Sequence, residues 1–185
     1  LSTFQSFETL LAMARLEGKR AVFVIAFRSF RDEELFEPKK VLEEAGARVE
    51  VASSALGKAE GMLGGTVDVD LLYTAVRAED LDALVFVGGE GAAEYWSDTA
   101  AWKLAKDAQA REKLLGAICF APSTLANAGL LEGRRATVFP TRRGHLSGKG
   151  AILVPEPVVR DGKLVTADGP QSARAFGEKL AEALA

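Results

Sequence analysis

Three stretches of this chain are nearly unbroken apolar runs: Arg20 to Phe27, Leu81 to Val87, and Leu114 to Ile118. A strand with one wet face alternates apolar and polar residues. A run without alternation needs cover on both faces, as in the middle of a parallel sheet. Between the runs the apolar period lengthens to that of a helix. Leu35, Val41, Leu42 and Ala45 mark one helix, with Pro38 admissible if it lies in the first turn. Gly46 closes that helix as a left-handed cap, and Val49 and Val51 start a second strand, completing a β-α-β unit.

The rest of the chain keeps the alternation. Residues 61–76 read as a small hairpin excursion. The Leu81 run ends in Gly88-Gly89, and the next helix is capped by Ser97 or Asp98, with Trp102, Ala105 and Ala108 on one face. The Cys119 strand runs through a turn into a helix, and a short strand follows over Ala136–Phe139. Val158–Thr166 reads as a hairpin turned at Asp161-Gly162, and Ala173, Phe176, Leu180 and Leu184 stripe a closing helix. This order predicts a single-domain α/β sandwich, with a mostly parallel central sheet and helices on both faces.

Residues 1–18 are set apart as an N-terminal amphipathic helical extension to a domain over 19–185. Phe4, Phe7, Leu10, Leu11 and Ala14 recur at helical spacing, without the basic start and continuous apolar centre of a signal peptide. A net charge of −3 gives no electrostatic reason to expect nucleic acid or an anionic membrane as partner. No apolar run approaches the roughly 20 residues that span a bilayer. The single cysteine excludes an intrachain disulfide and points to a reducing, cytoplasmic compartment. No His/Cys/Asp/Glu spacing suits a metal, and no Gly-x-Gly-x-x-Gly or phosphate loop has the right context, so no cofactor is expected.

Cys119 stands where a strand gives way to a helix, a position whose free N–H groups favour a thiolate. A buried, inert thiol is the competing reading. The segments that end three core strands bear on the choice: Phe30-x-Asp32-x-Glu34-Leu35-x-x-Pro38, the strand followed by Gly88-Gly89, and Ala117-Ile118-Cys119-x-x-Pro122. With Leu125-Ala126-Asn127-Ala128-Gly129-Leu130-Leu131 and Ala136-Thr137 they resemble the ThiJ/PfpI superfamily over roughly residues 19–184. The resemblance implies a flavodoxin-like fold, a nucleophile elbow at Cys119, and a carboxyl group close to its sulfur, at Glu34. It also implies a homodimer or higher homo-oligomer.

The physical case for the pair stands beside the resemblance. A carboxylate next to a thiolate is repelled, so one of the two should keep a proton. Glycines at 88 and 89 let backbone N–H groups approach a ligand, and the N–H of Gly89 with that of Phe120 would form an oxyanion hole. Phe120 itself departs from the protease-like members, which place histidine there. His145, the only histidine, and Glu94 are accessory candidates, the first only if its loop folds over the pocket. Tyr95, Trp96 and Phe120 suggest an apolar rim, and Arg28, Arg31, Arg142 and Arg143 a small-anion site if they converge.

The expected function is therefore a small-molecule enzyme of glyoxalase or deglycase type in stress protection, with a carbonyl substrate, Cys119 as nucleophile and Glu34 as proton shuttle. Two alternatives stay open: a non-catalytic redox-sensing or chaperone-like stress protein that uses Cys119 oxidation, and a PfpI-like cysteine peptidase. The first two readings require a depressed thiol pKa.

Overall fold

A computed structural model describes residues 15–185, so the helix expected over 4–14 lies outside the described residues. The chain runs β1 (Arg20–Val24), β2 (Arg28–Phe30), α1 (Asp32–Glu44), β3 (Arg48–Ser53), β4 (Gly57–Gly61), β5 (Thr66–Val69), β6 (Leu71–Leu72) and β7 (Ala83–Phe86). It continues with α2 (Thr99–Ala110), β8 (Leu114–Ile118), α3 (Pro122–Asn127), β9 (Arg135–Ala136), α4 (Arg143–Gly148) and β10 (Ile152–Leu153). The hairpin strands β11 (Val158–Asp161) and β12 (Leu164–Ala167) lead into α5 (Ala173–Leu184).

The three apolar runs become β1, β7 and β8, side by side in a sheet ordered β11-β12-β8-β7-β1-β3-β6. Only β11 runs antiparallel. The expected covering of both faces is present. Ala21 and Phe23 of β1 pack with Leu35 and Leu42 of α1 and Phe176 and Leu180 of α5. Val22 and Val24 pack on the other face with Leu104 and Ala105 of α2 and Leu125 of α3. Each valine, leucine or phenylalanine among these taken wholly out of water contributes about 1.5–3 kcal/mol. From β1 the chain moves outward to β3 and then returns past it to β7. Strand order thus reverses between β1 and β7, the place where α/β sheets open a crevice at their carboxyl ends.

Several local expectations shift. The first helix starts at Asp32, earlier than its apolar pattern suggests, because Asp32, Glu33 and Glu34 suit the positive end of a helix. Pro38 therefore lies inside α1 and not in its first turn. Its missing N–H frees the Glu34 carbonyl from the helix ladder. The ring is buried against α5, where a Cβ on Gly177 would come within 2.7 Å of the Pro38 Cα. The hairpin excursion begins at residue 57 as β4–β5, which β2 joins to make a separate three-stranded sheet. Asp98 is the cap of α2, accepting the N–H of Ala100 at 2.8 Å.

The strand expected over Ala136–Phe139 reduces to β9, paired with β10. Beyond it the extended chain satisfies its N–H groups elsewhere: Thr137 donates to Thr166 Oγ1 at 2.9 Å and Phe139 to the Cys119 carbonyl at 3.0 Å. The Asp161-Gly162 hairpin forms as expected, with Asp161 paired to Leu164. Among the described residues no helix is long and apolar enough to cross a membrane.

Candidate active site

Cys119 is the first residue beyond β8, held from both sides. Its N–H donates to the Ala167 carbonyl of β12 at 2.9 Å, and its carbonyl accepts the Phe139 N–H at 3.0 Å. These bonds fix a φ of +63°, a left-handed conformation that strains a residue bearing a Cβ by roughly 1–3 kcal/mol. The chain then turns into α3, with Pro122 in its first turn. That helix has six residues, so its dipole is a small influence; the nearer donors to the sulfur are the N–H groups of Gly89 and Phe120.

Glu34 reaches the same point from the first turn of α1, and Gly88 lies between the two side chains. A Cβ on Gly88 would sit 2.4 Å from Glu34 Oε2 and 2.6 Å from the Cys119 Cβ. On Gly89, at φ +99°, a Cβ would meet the Arg31 nitrogen at 2.4 Å. The glycine pair is thus required by close approach: it lets the strand end, the acid and the thiol share one small volume. The Arg31 N–H donating to the Gly88 carbonyl at 3.0 Å ties the start of α1 to the end of β7.

The electrostatics follow from burial. Glu34 is fully buried and Cys119 is 5% exposed. Neither Glu34 oxygen meets a partner at full hydrogen-bond geometry. The Cys119 thiol and the Gly88 N–H lie near enough to favour its charged form, but less than burial disfavours it. Desolvation decides, and pushes the carboxyl up to about 8, so the acid is protonated at neutral pH as expected for one member of the pair. The thiol moves against expectation. Burial first, then the neighbouring Glu34, push it up from its ordinary value, while the Gly89 and Phe120 N–H groups pull the other way. Cys119 is therefore no freely ionised surface thiolate; it shares protons with Glu34 inside one desolvated site.

The thiol and the acid open onto a cavity of about 210 Å³ lined also by Arg31, Met62, Gly89, Glu90, Phe120, Phe139 and Pro170. Phe120 and Phe139 meet edge to face at 5.1 Å, forming an aromatic wall. Met62 arrives from the β4–β5 turn. That turn is anchored to α1 by buried Asp32, which accepts the N–H groups of Leu63 at 2.8 Å and Gly65 at 2.7 Å. Sequence patterns gave no sign of Met62 or Pro170, because each comes from a different loop brought in by tertiary packing; Glu90 directly follows the Gly88-Gly89 strand end. A larger hollow, about 320 Å³, opens at the other end of the sheet among Lys19, Asp82, Lys113 and Lys163, far from the thiol.

The accessory candidates lie elsewhere. Glu94 is exposed on the turn after Gly89, beside Tyr73 and Tyr95. Tyr95 is no rim residue: it is buried, with its hydroxyl donating to the Ile25 carbonyl at 2.8 Å. Trp96 stacks edge on against Phe120, with ring centres 6.2 Å apart. The arginines do not converge. Arg31 pairs with Glu33 at the cavity, Arg28 pairs loosely with Glu60 at the surface, Arg142 lies over the Trp96 ring, and Arg143 is exposed. His145 is held behind the elbow by Ser123 and Asn127, and is not among the cavity-lining residues.

Comparison with known proteins places this arrangement. Residues 19–183 match the DJ-1/PfpI family. A Pyrococcus abyssi protein named Deglycase PYRAB04690 is 35% identical over 149 residues, 80% of this chain and 90% of that protein. General stress protein 18 of Bacillus subtilis is 33% identical, covering 88% of this chain and 95% of its own. The crystal structure of a ThiJ/PfpI domain protein from Brachyspira murdochii superposes with a TM-score of 0.88 at 37% identity, over 90% of this chain and 98% of that one.

Proposed function

The chain belongs to the DJ-1/PfpI family, and from that premise we propose that it is a cysteine-dependent enzyme acting on small reactive carbonyls, in the manner its deglycase-named relatives suggest. One observation carries the reading: a fully buried carboxyl group, without a fully formed hydrogen bond, beside the only cysteine of the chain in an apolar cavity. Unpartnered buried acids are rare in structures, and strongly displaced acids cluster at functional sites.

In this reading Cys119 adds to the aldehyde carbon of a 2-oxoaldehyde. A carbon–sulfur bond forms and the carbonyl π bond breaks. One Glu34 oxygen takes the thiol proton while the other gives its own to the carbonyl oxygen, so the carboxyl ends neutral and a hemithioacetal results. The N–H groups of Gly89 and Phe120 stabilise the oxygen as its charge develops. A proton shift between the two carbons, again through Glu34, gives the thioester of a 2-hydroxy acid. Water then releases that acid and restores the thiol. No external oxidant or reductant is needed.

The aromatic wall of Phe120 and Phe139 suits a substrate with an apolar side. It leaves peptide hydrolysis without support, since Phe120 cannot carry a proton and His145 is occupied elsewhere. The covered, pushed-up thiol removes the standing thiolate on which oxidation sensing depends. Carbonyl addition was expected to need it too, but here Glu34 takes the proton as the carbon–sulfur bond forms, so no free thiolate has to exist beforehand.

The test is turnover of methylglyoxal by the purified protein and by Cys119→Ala. The expected result is loss of the catalysed rate to background in the variant. Equal rates would remove the proposal.

A further inference from the structure

On the side of the elbow away from the cavity, five side chains and two carbonyls form a ring of hydrogen bonds closed by one cation–π contact. The ring can be assigned atom by atom. Asn127 Nδ2 donates to the Trp96 carbonyl at 2.7 Å, so Asn127 Oδ1 faces His145 Nε2 at 2.8 Å as an acceptor. His145 Nε2 therefore carries the hydrogen, and Nδ1 is left to accept. Arg142 Nε, a donor only, points at Ser123 Oγ at 3.0 Å. The hydroxyl hydrogen of Ser123 then goes to His145 Nδ1 at 3.1 Å.

The ring returns to the elbow through Trp96. Its Nε1 donates to the Phe120 carbonyl at 3.0 Å, and the Arg142 guanidinium lies 3.9 Å over its indole. The bond that should close the first turn of α3, from the Ser123 N–H to that same carbonyl, is long at 3.4 Å. The Trp96 bond supplements it at the residue directly after Cys119. Ser123 is fully buried and makes no contact with the cavity, so this ring touches neither substrate nor sulfur.

We infer that His145 is a positioning residue for Cys119: as a neutral ring with hydrogen on Nε2 it locks Ser123, Arg142 and Trp96 and thereby holds Phe120, whose N–H faces the sulfur. A cationic His145 would turn Nδ1 into a donor, so Ser123 Oγ would accept from both His145 and Arg142 and its own hydrogen would lose the acceptor it has here. The charged groups whose fields reach the ring are Arg142, from the turn before α4, and Lys149, just past its end. Helix α3 presents only the neutral Ser123 and Asn127. Burial, then these two cations, hold the imidazole below its ordinary value, consistent with the neutral form at physiological pH.

This inference rests on Cys119 as the reacting atom but is read on the thiol itself, so failure of carbonyl turnover leaves it standing. The probe is 4,4′-dithiodipyridine, which reacts with thiols in acid as well as neutral solution and here has one target. Its rate with the native protein is divided by its rate with His145→Phe at each pH, which cancels the ordinary titration of the thiol. The ratio should be about fivefold near neutrality, the value of roughly one hydrogen bond, and should fall toward one as pH drops through the His145 titration. Ser123→Ala, which deletes a single oxygen, should give the same profile. Nitrogen-15 spectra should show the Nε2–H tautomer. A ratio near one throughout, a ratio independent of pH in both variants, or the Nδ1–H tautomer would each overturn the inference.

Discussion

On one side of Cys119 the two oxygens of Glu34 are buried without a hydrogen-bond partner. On the other side Ser123, Asn127, His145 and Arg142 all find partners, at 2.7 to 3.1 Å. Both groups are polar and they flank the same short helix, although only Ser123 of the second group is buried as Glu34 is. A satisfied ring is something stability alone can retain, since each bond adds about a kilocalorie per mole and each of these groups has a partner. An acid stripped of water and given no fully formed hydrogen bond weakens the fold. The contrast separates a support from a reacting group without reference to any relative.

The largest expected effect falls on the unpartnered side. Glu34→Gln keeps the shape and removes the proton relay. It should lower kcat on a 2-oxoaldehyde by about 10²–10⁴-fold, the usual contribution of a positioned acid–base group. A loss under tenfold would make Glu34 a bystander. Gly88→Ala tests the packing of the pair, because its methyl would land on both Glu34 and Cys119. Destabilisation of about 3 kcal/mol or more in urea is expected, at the upper end for forced overpacking. An unaffected midpoint would show that acid and thiol are not in close contact.

Next in size is a gain in stability. Glu34 holds its proton up to about 8 in the folded chain but only to near 4.5 when unfolded. Between these values the folded state carries the extra proton, so the contribution of Glu34 to stability is greatest below about pH 4.5 and is lost as pH rises through 8. Glu34→Gln lacks this fall. Relative to wild type it should become more stable from pH 5 to pH 8.5 by a few kcal/mol, at about 1.4 kcal/mol per unit of pKa displacement. A difference that stays flat with pH would place the acid in water. The smallest effect belongs to the satisfied side: Trp96→Phe should cost about 1 kcal/mol of stability through the lost bond to the Phe120 carbonyl.

The frame of this site was legible in the chain. Continuous apolar runs at β1, β7 and β8 required a two-sided sheet, and the residues following each run supplied Glu34, Gly88-Gly89 and Cys119. The direction of the thiol's pKa was not legible, since it depends on how much water the Phe120–Phe139 wall excludes. Met62 and Pro170 were hidden for a related reason: each enters the cavity on a loop whose position is set by packing between distant segments. The ring behind the elbow left a faint trace. Ser123 and Asn127, four apart, put two polar groups on one side of a short, largely buried helix, which asks for a partner without saying that His145 provides it.

Asp32 has a mechanical consequence. It grips the turn that carries Met62, and it sits two residues before Glu34 in the same first turn of α1. The cavity's outer wall and its acid are therefore parts of one rigid piece, and a bulky guest that pushed Met62 aside would drag the proton carrier with it. Room for larger molecules has to be made on the opposite bank, at Phe139 and Pro170, where the wall can yield while the distance from acid to sulfur is kept.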